Sequence, residues 1–235
     1  MRPSLAILSS MILLILLAAP GQAAILTVAP DGSTNYTSIQ SAIDAAKSGD
    51  IIEVLSGTYQ EHVFLSKKVE LRGKDTGDGL PLVDANGTGS AITIYADGAV
   101  LEGFNVTNSG HCGCGNAGIR IMSDNNTVFG NVAYKDNYGI YSGPTKGNRI
   151  YQNDLIDNYI SAFDEGNNWW GSVPDAKELL TGSGVAGNHY SDFDKPAAGC
   201  NDTSSDGICD MPYKIKGGSN ADLHPMVSWT RPELG

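Results

Sequence analysis

Three segments of this 235-residue chain carry side chains of the types that can bind ions or sugars. In Asp202-x-Ser204-x-Asp206-Gly207-x-x-Asp210, oxygen ligands fall at positions 1, 3, 5 and 9 around a glycine, and the Ile208 carbonyl stands at position 7. That is the opening of a Ca²⁺ loop, in which the glycine permits the tight bend. Tyr213 occupies position 12, where a bidentate Glu would close an EF-hand. The expectation is therefore a structural calcium completed by Asp192, Asp194 or Asp222, and the plainer alternative is an acidic turn held by Cys200 and Cys209. His111, Cys112 and Cys114 place an imidazole and two thiols within four residues. Such a set can reach one soft cation, Cu(I) or Zn²⁺. Copper or zinc ranks behind calcium because disulfides compete for the thiols in an oxidising compartment. Tyr134, Tyr138, Tyr141, Tyr151, Tyr159, Trp169 and Trp170 recur toward the middle of the chain. Outward rings of this kind stack on sugar faces while Asn and Asp bond the hydroxyls, although packing accounts for about half of them equally well.

Carboxylates offer a further chemistry. Two-carboxylate hydrolysis needs an acid and a base on neighbouring elements facing one groove. Asp124, Asp136, Asp154, Asp157, Asp164 and Glu165 are the candidates, and Arg120, Arg149 and Lys135 would serve a lyase. Most of these acids adjoin Asn or Gly, where turn formation explains them without catalysis. His62, His189 and His224 read as isolated surface or packing residues.

What positions these groups is a repeat. AGIRIMSDNNTVFGNVAYKDN (117 to 137) is followed at once by YGIYSGPTKGNRIYQNDLIDN (138 to 158), so Ile119 recurs as Ile140, Asn126 as Asn148, Val128 as Ile150 and Asn131 as Asn153, a step of 21 to 22 residues. A unit this short cannot bury its apolar face alone and must stack on its neighbours. The apolar runs are brief, alternate with polar residues and lack helical spacing, which makes them strands. The expected fold is an all-β parallel solenoid with coils about 4.8 Å apart. Asn126, Asn148 and then Asn167 or Asn168 would stack into an amide ladder at one corner. Further strands are expected at 51–54, 62–65, 69–71, 82–84, 91–95 and 100–106. Ser38 to Lys47, with Ile39, Ala42, Ile43 and Ala46 at helical spacing, is a helix capped by Thr37 or Ser38 that covers the first coil. The solenoid spans 24–170, and 171–235 is an irregular extension folding back on its last coil.

Residues 1–23, with Arg2, an apolar run from Leu5 to Ala19 and the small residues after Pro20, read as a secretory signal. A membrane would be met only through an uncleaved signal, since the run is short for a span and MVSWTRPELG has no apolar tail. The formal net charge of −11 makes nucleic acid and anionic membranes poor partners and cations better ones. Five Asn-x-Thr sequons, at Asn35, Asn86, Asn105, Asn125 and Asn201, suit an exported surface. Four cysteines suggest disulfides. Cys200 and Cys209 can close a small staple, whereas Cys112 and Cys114 stand too close for an easy bridge to each other, which leaves that pair open.

The opening TVAPDG and NYTSIQSAIDAAKSGDIIEVLSGTYQE, together with NNWWG, GNHYSDF, NDTSSDGICDMPYKI and GGSNADLHPM near the end, resembles the NosD-type, or CASH, β-helix family. The resemblance implies a right-handed single-stranded parallel β-helix, with carbohydrate-binding, sugar-hydrolase and copper-related accessory members. Gly57-Thr58-Tyr59-Gln60-Glu61 also resembles the first motif of pectin methylesterases, but the QDTL-like and DFIFG-like segments that should follow are missing. Polygalacturonase-like motifs are missing too: His111 precedes Cys112, and Arg149 is followed by Ile150 and Tyr151. The expected function is thus non-catalytic binding of surface or extracellular polysaccharide, with copper handling second and a polysaccharide lyase or hydrolase third. Oligomeric state is not legible.

Overall fold

The computed structural model describes residues 23–171 and 186–228. The leader 1–22, a stretch of the extension (172–185) and the last residues (229–235) lie outside them. Among the described residues the strands form three sheets of nine, five and six members, each built from one short strand per coil. Strand pairing is parallel, apart from Tyr213–Lys214, which runs antiparallel to Ala221–Asp222, and an isolated antiparallel bridge joins Ile208 and Met226. The fold is an all-β parallel β-helix.

Strand alternation sends apolar side chains from each strand of a coil into a common interior. In the nine-stranded sheet Ile52, Leu71, Leu101, Val128, Ile150 and Trp170 stand in register on successive strands. The five-stranded sheet contributes Val63, Ile92, Ile119, Ile140 and Ala162. Tyr59, Val83, Val106, Ala133, Leu155 and Tyr190 do the same in the six-stranded sheet. All of these are buried and belong to one cluster. The pairings Ile119 with Ile140 and Val128 with Ile150 are those the repeat implied.

Two expectations change. The strand expected over 100–106 is two strands, Val100–Glu102 and Asn105–Thr107, because Gly103 at φ 76 turns the chain between sheets. A two-residue strand, Thr58–Tyr59, is added; it is too short to leave a periodic signal. Gly73 has a packing reason of its own, since a Cβ there would lie 1.9 Å from the Gly103 carbonyl oxygen on the next coil. Backbone cannot yield as a side-chain tip can, so Gly73→Ala should cost about 2 to 4 kcal/mol, measured as a lowered midpoint in urea.

The helix runs Ile39–Ala45, two residues short of Lys47, with the Ser38 side chain accepting from the Ser41 N–H. Ile39, Ala42 and Ile43 close the first coil. Both oxygens of Glu61 accept from the first turn, at 2.8 Å from Ile39 N and 3.0 Å from Gln40 N. The acid of the esterase-like motif is therefore a helix cap, which satisfies two orphan donors.

Corners between sheets are sealed by side-chain amides. Asn126 donates from N and Nδ2 to Asn148 Oδ1, and Asn148 does the same to Asn168 Oδ1, so the third member is Asn168 rather than Asn167. A second ladder runs Asn131, Asn153, Asn188. Each ends on a carboxylate: Asp164 accepts from Asn168 Nδ2, and Asp222 from Asn188 N and Nδ2. An acceptor-only group is what a chain of donors needs at its last rung. The described part of the extension supplies that closure for the second ladder. It adds His189–Tyr190 to one sheet and Ala221–Asp222 to another, and stacks Tyr213 on Tyr190 at 3.8 Å between ring centroids.

Candidate functional site

The outer face of the five-stranded sheet carries a row of side chains in register on consecutive coils: Phe64, Thr93, Arg120, Tyr141 and Phe163, continued by Lys216 through an isolated bridge. Tyr141 and Phe163 stack nearly parallel at 5.4 Å, and Tyr138 meets both edge-on at 5.4 Å. The Arg120 guanidinium lies 5.6 Å over the Tyr141 ring, a cation–π arrangement. The Tyr141 hydroxyl donates to Glu165 Oε1 at 2.9 Å, and burial together with that bond pushes its pKa up. At the other end of the row Phe64 and Tyr95 stack at 6.3 Å, and the two side chains are 46% and 52% exposed.

The structure therefore divides the aromatic candidates. Tyr138 and Tyr141 share the five-stranded face, but their ring faces are taken up by each other, Phe163 and Arg120. Tyr151 is on the nine-stranded sheet, stacked on Phe129 at 5.3 Å, and Tyr134 is half-buried on the six-stranded sheet. Trp169 stands outward beside Arg149 at 61% exposure, and Tyr159 is exposed at a corner. Trp170 is a correction: it points inward, and its indole donates to Asp164 Oδ2 at 2.8 Å. Alternation along Asn167–Trp170 puts adjacent tryptophans on opposite faces, so only one of the two can meet a sugar. Phe64 and Tyr95 were missed because they enter the row only once coils of unequal length are aligned, with 27 residues from Ile92 to Ile119 against 21 from there to Ile140; Phe163 follows Tyr141 at the regular 22-residue step, a signal that was present in the sequence.

The carboxylates are used structurally. Asp136 and Asp164 are buried at corners, Asp124 accepts from Lys146 N, and Asp154 meets His189 Nδ1 at 2.5 Å, so His189 is not isolated. In the acidic turn, Asp202 accepts from the Asp206 and Gly207 N–H groups, with Ser204 Oγ 3.4 Å away. Asp206 accepts from Ile208 N, and Asp210 from Thr203 N and Oγ1. None of the acids expected to complete the loop joins it: Asp192 takes the Ser161 and Tyr213 hydroxyls, Asp194 pairs with Lys195, and Asp222 ends a ladder. Cys200 and Cys209 are bridged, as the staple required.

Cys112 and Cys114 are bridged to each other across a Cα–Cα distance of 5.3 Å. The pair left open by the sequence is thus joined despite a spacing that looked too short for an easy bridge: with one glycine between them the chain bends enough to bring the Cα atoms into the ordinary range. Gly115, next in sequence, packs beneath the Tyr141 ring. A soft metal needs thiolates. With both sulfurs bonded to each other, His111, Cys112 and Cys114 do not fit copper or zinc in this state. Among the described residues no three His, Cys, Asp or Glu side chains converge as a metal site.

A family model described as "Periplasmic copper-binding protein (NosD)" matches residues 83–195. The matched stretch, slightly under half of the chain, is similar to that family. It begins at the strand Leu82–Asp84, takes in both Asn ladders as far as Asn188 and ends within the extension, so it includes the coils that repeat at a constant 21 to 22 residue step. Among solved structures, the pectin methylesterase from Aspergillus niger in deglycosylated form is similar at 18% identity and a TM-score of 0.41, over 73% of this chain and 65% of that one. The same enzyme in penultimately deglycosylated form gives 17% and 0.39, over 73% and 66%. The chain thus spans slightly less than two thirds of that enzyme's length. No curated protein matches the chain significantly. The match to the NosD family model and the two disulfides are consistent with an exported protein.

Proposed function

We propose that this NosD-type β-helix is a non-catalytic exported module that binds polysaccharide through exposed rings on its flanks. The observation that supports it is the Phe64–Tyr95 pair, two apolar rings left about half open to solvent on the outer face of a rigid sheet. Open ring faces stack on the C–H faces of sugars and gain from shedding water. Trp169, on the neighbouring sheet, is a second contact of the same kind, and the Gln40 amide, hydrogen-bonded to the Phe64 backbone, lies within reach of a sugar hydroxyl. The signal at 1–23 belongs to this proposal and is tested by sequencing the amino terminus of the secreted protein.

Affinity electrophoresis against a panel of neutral and acidic polysaccharides tests the binding. At least one should retard the protein, and Phe64→Ala with Tyr95→Ala should weaken retardation about thirtyfold while the melting temperature holds, since each ring contributes on the order of 1 kcal/mol. No retardation by any polysaccharide would remove the reading. The family description favours copper as the competing reading; stoichiometric copper retained by the wild-type protein and lost in Cys112→Ser would put it first.

A further inference from the structure

The two disulfides sit in opposite environments. Cys200 and Cys209 are each 2% exposed, whereas Cys112 and Cys114 lie open in the loop between Thr107 and Ala117. Exchange requires an incoming thiolate to reach a sulfur, so only the second bridge is placed for it. The side-chain amide of Asn116 donates to Cys112 Sγ at 3.0 Å. An N–H aimed at one sulfur stabilises the negative charge that sulfur takes up when it leaves, which distinguishes the pair: Cys114 is the sulfur attacked and Cys112 the leaving thiolate.

The loop is also held by contacts that do not involve the bridge. Asn137 Nδ2 donates to the carbonyls of Cys112 at 3.3 Å and Asn116 at 3.4 Å, Gly110 N donates to Gly89 O at 2.9 Å, and Gly115 rests on Tyr141. Reduction would leave the two thiols on a frame that keeps them close.

We propose that Cys112–Cys114 is a thiol–disulfide exchange site that oxidises accessible dithiols of exported polypeptides. A thiolate of the dithiol attacks Cys114 Sγ, the S–S bond breaks, and its electron pair leaves on Cys112, which takes a proton from water. The second thiol of the substrate gives its proton to solvent and attacks its own partner sulfur in the mixed disulfide, releasing Cys114 as thiolate. The substrate departs as a disulfide, and the two electrons remain on the protein as two thiols. One equivalent is transferred per chain.

The test mixes the oxidised full-length protein with a synthetic peptide bearing two cysteine thiols and follows peptide disulfide by mass spectrometry. Oxidised glutathione at equal concentration is the reference for a merely exposed disulfide. The expected result is one equivalent of peptide disulfide per chain, formed about tenfold faster than with glutathione. Alkylation should then label Cys112 and Cys114 and leave Cys200 and Cys209 bridged. Asn116→Asp, which replaces the donor by an acceptor of the same shape, should slow the reaction several-fold at unchanged melting temperature. A rate no greater than that of oxidised glutathione, or label on Cys200 and Cys209 instead, overturns the proposal. A Cys112→Ser, Cys114→Ser protein that still oxidises the peptide does so as well.

Discussion

Asn148→Ala should lower stability by about 3 to 4 kcal/mol, one of the largest losses available from a single polar side chain in this fold. Asn148 is wholly buried at the centre of the first ladder. Its Oδ1 accepts from Asn126 N and Nδ2, and its Nδ2 donates to Asn168 Oδ1, Ser123 O and Thr145 Oγ1, all between 2.8 and 3.0 Å. Alanine strands the Asn126 backbone N–H with no water to replace its acceptor, and it leaves a polar cavity between coils. A buried donor left unsatisfied costs about 1 to 3 kcal/mol, and the loss of packing adds to it. Asn148→Asp separates the two functions of the amide, because it keeps the acceptor and shape but cannot donate to Asn168; near neutral pH it should destabilise at least as strongly. Asn35→Ala, at an exposed loop position, should stay within about 0.5 kcal/mol. Urea midpoints of the three variants decide the matter, and an Asn148→Ala midpoint equal to that of Asn35→Ala would show that the ladder contributes nothing.

A second large effect depends on pH. At the third corner the rung is an acid: Asp136 Oδ1 accepts from Ser109 N at 2.7 Å, and Asp136 N donates to Asn158 Oδ1 at 2.9 Å. Its other oxygen is buried without a partner, and Gly118 is the only residue type that fits against it, since a Cβ there would lie 2.4 Å from Oδ2. Burial pushes the carboxyl up to about 7, against the opposing hydrogen bonds from Ser109. A raised carboxyl favours the folded state while protonated, so its contribution is complete below about pH 4 and is lost as pH rises through 7. The displacement of this carboxyl from its ordinary range corresponds to at most about 4 kcal/mol. Asp222, pushed up to about 6 by burial, acts in the same direction, but four donors face it, from Asn188 N and Nδ2, Tyr190 and His224. Asp136→Asn should therefore raise stability at pH 8 by a few kcal/mol, leave it almost unchanged at pH 4, and remove most of the decline between them. An asparagine would also extend the ladder, donating to Asn158 as Asn126 donates to Asn148. Thermal melts of both proteins from pH 4 to 8 test this, and parallel curves would refute it.

Where the chain repeats at constant length, sequence was enough. Ile119 over Ile140, Val128 over Ile150 and Asn126 over Asn148 follow from a 21 to 22 residue step, because a parallel stack places equivalent positions on one another whatever their surroundings. The same alternation that made Tyr141 outward and Ile140 inward also makes Trp170 inward beside an outward Trp169, so that separation was present in the sequence as well.

What the sequence determined by itself is local: strand alternation, turn chemistry, the Ser38 cap and the need of a short repeat to stack. What only the tertiary structure decided depends on residues far apart in the chain. Glu61 caps a helix that precedes it by some twenty residues, Asp222 ends a ladder begun at Asn131, and Phe64 shares a row with Phe163. Cys112 and Cys114 are near neighbours, yet their pairing turned on the bend of a loop seated on Tyr141. The physical reason is common to all of these. Hydrogen bonds and ring contacts between coils depend on register, and register across coils of unequal length is set by how the whole core packs, which no local pattern of residues encodes.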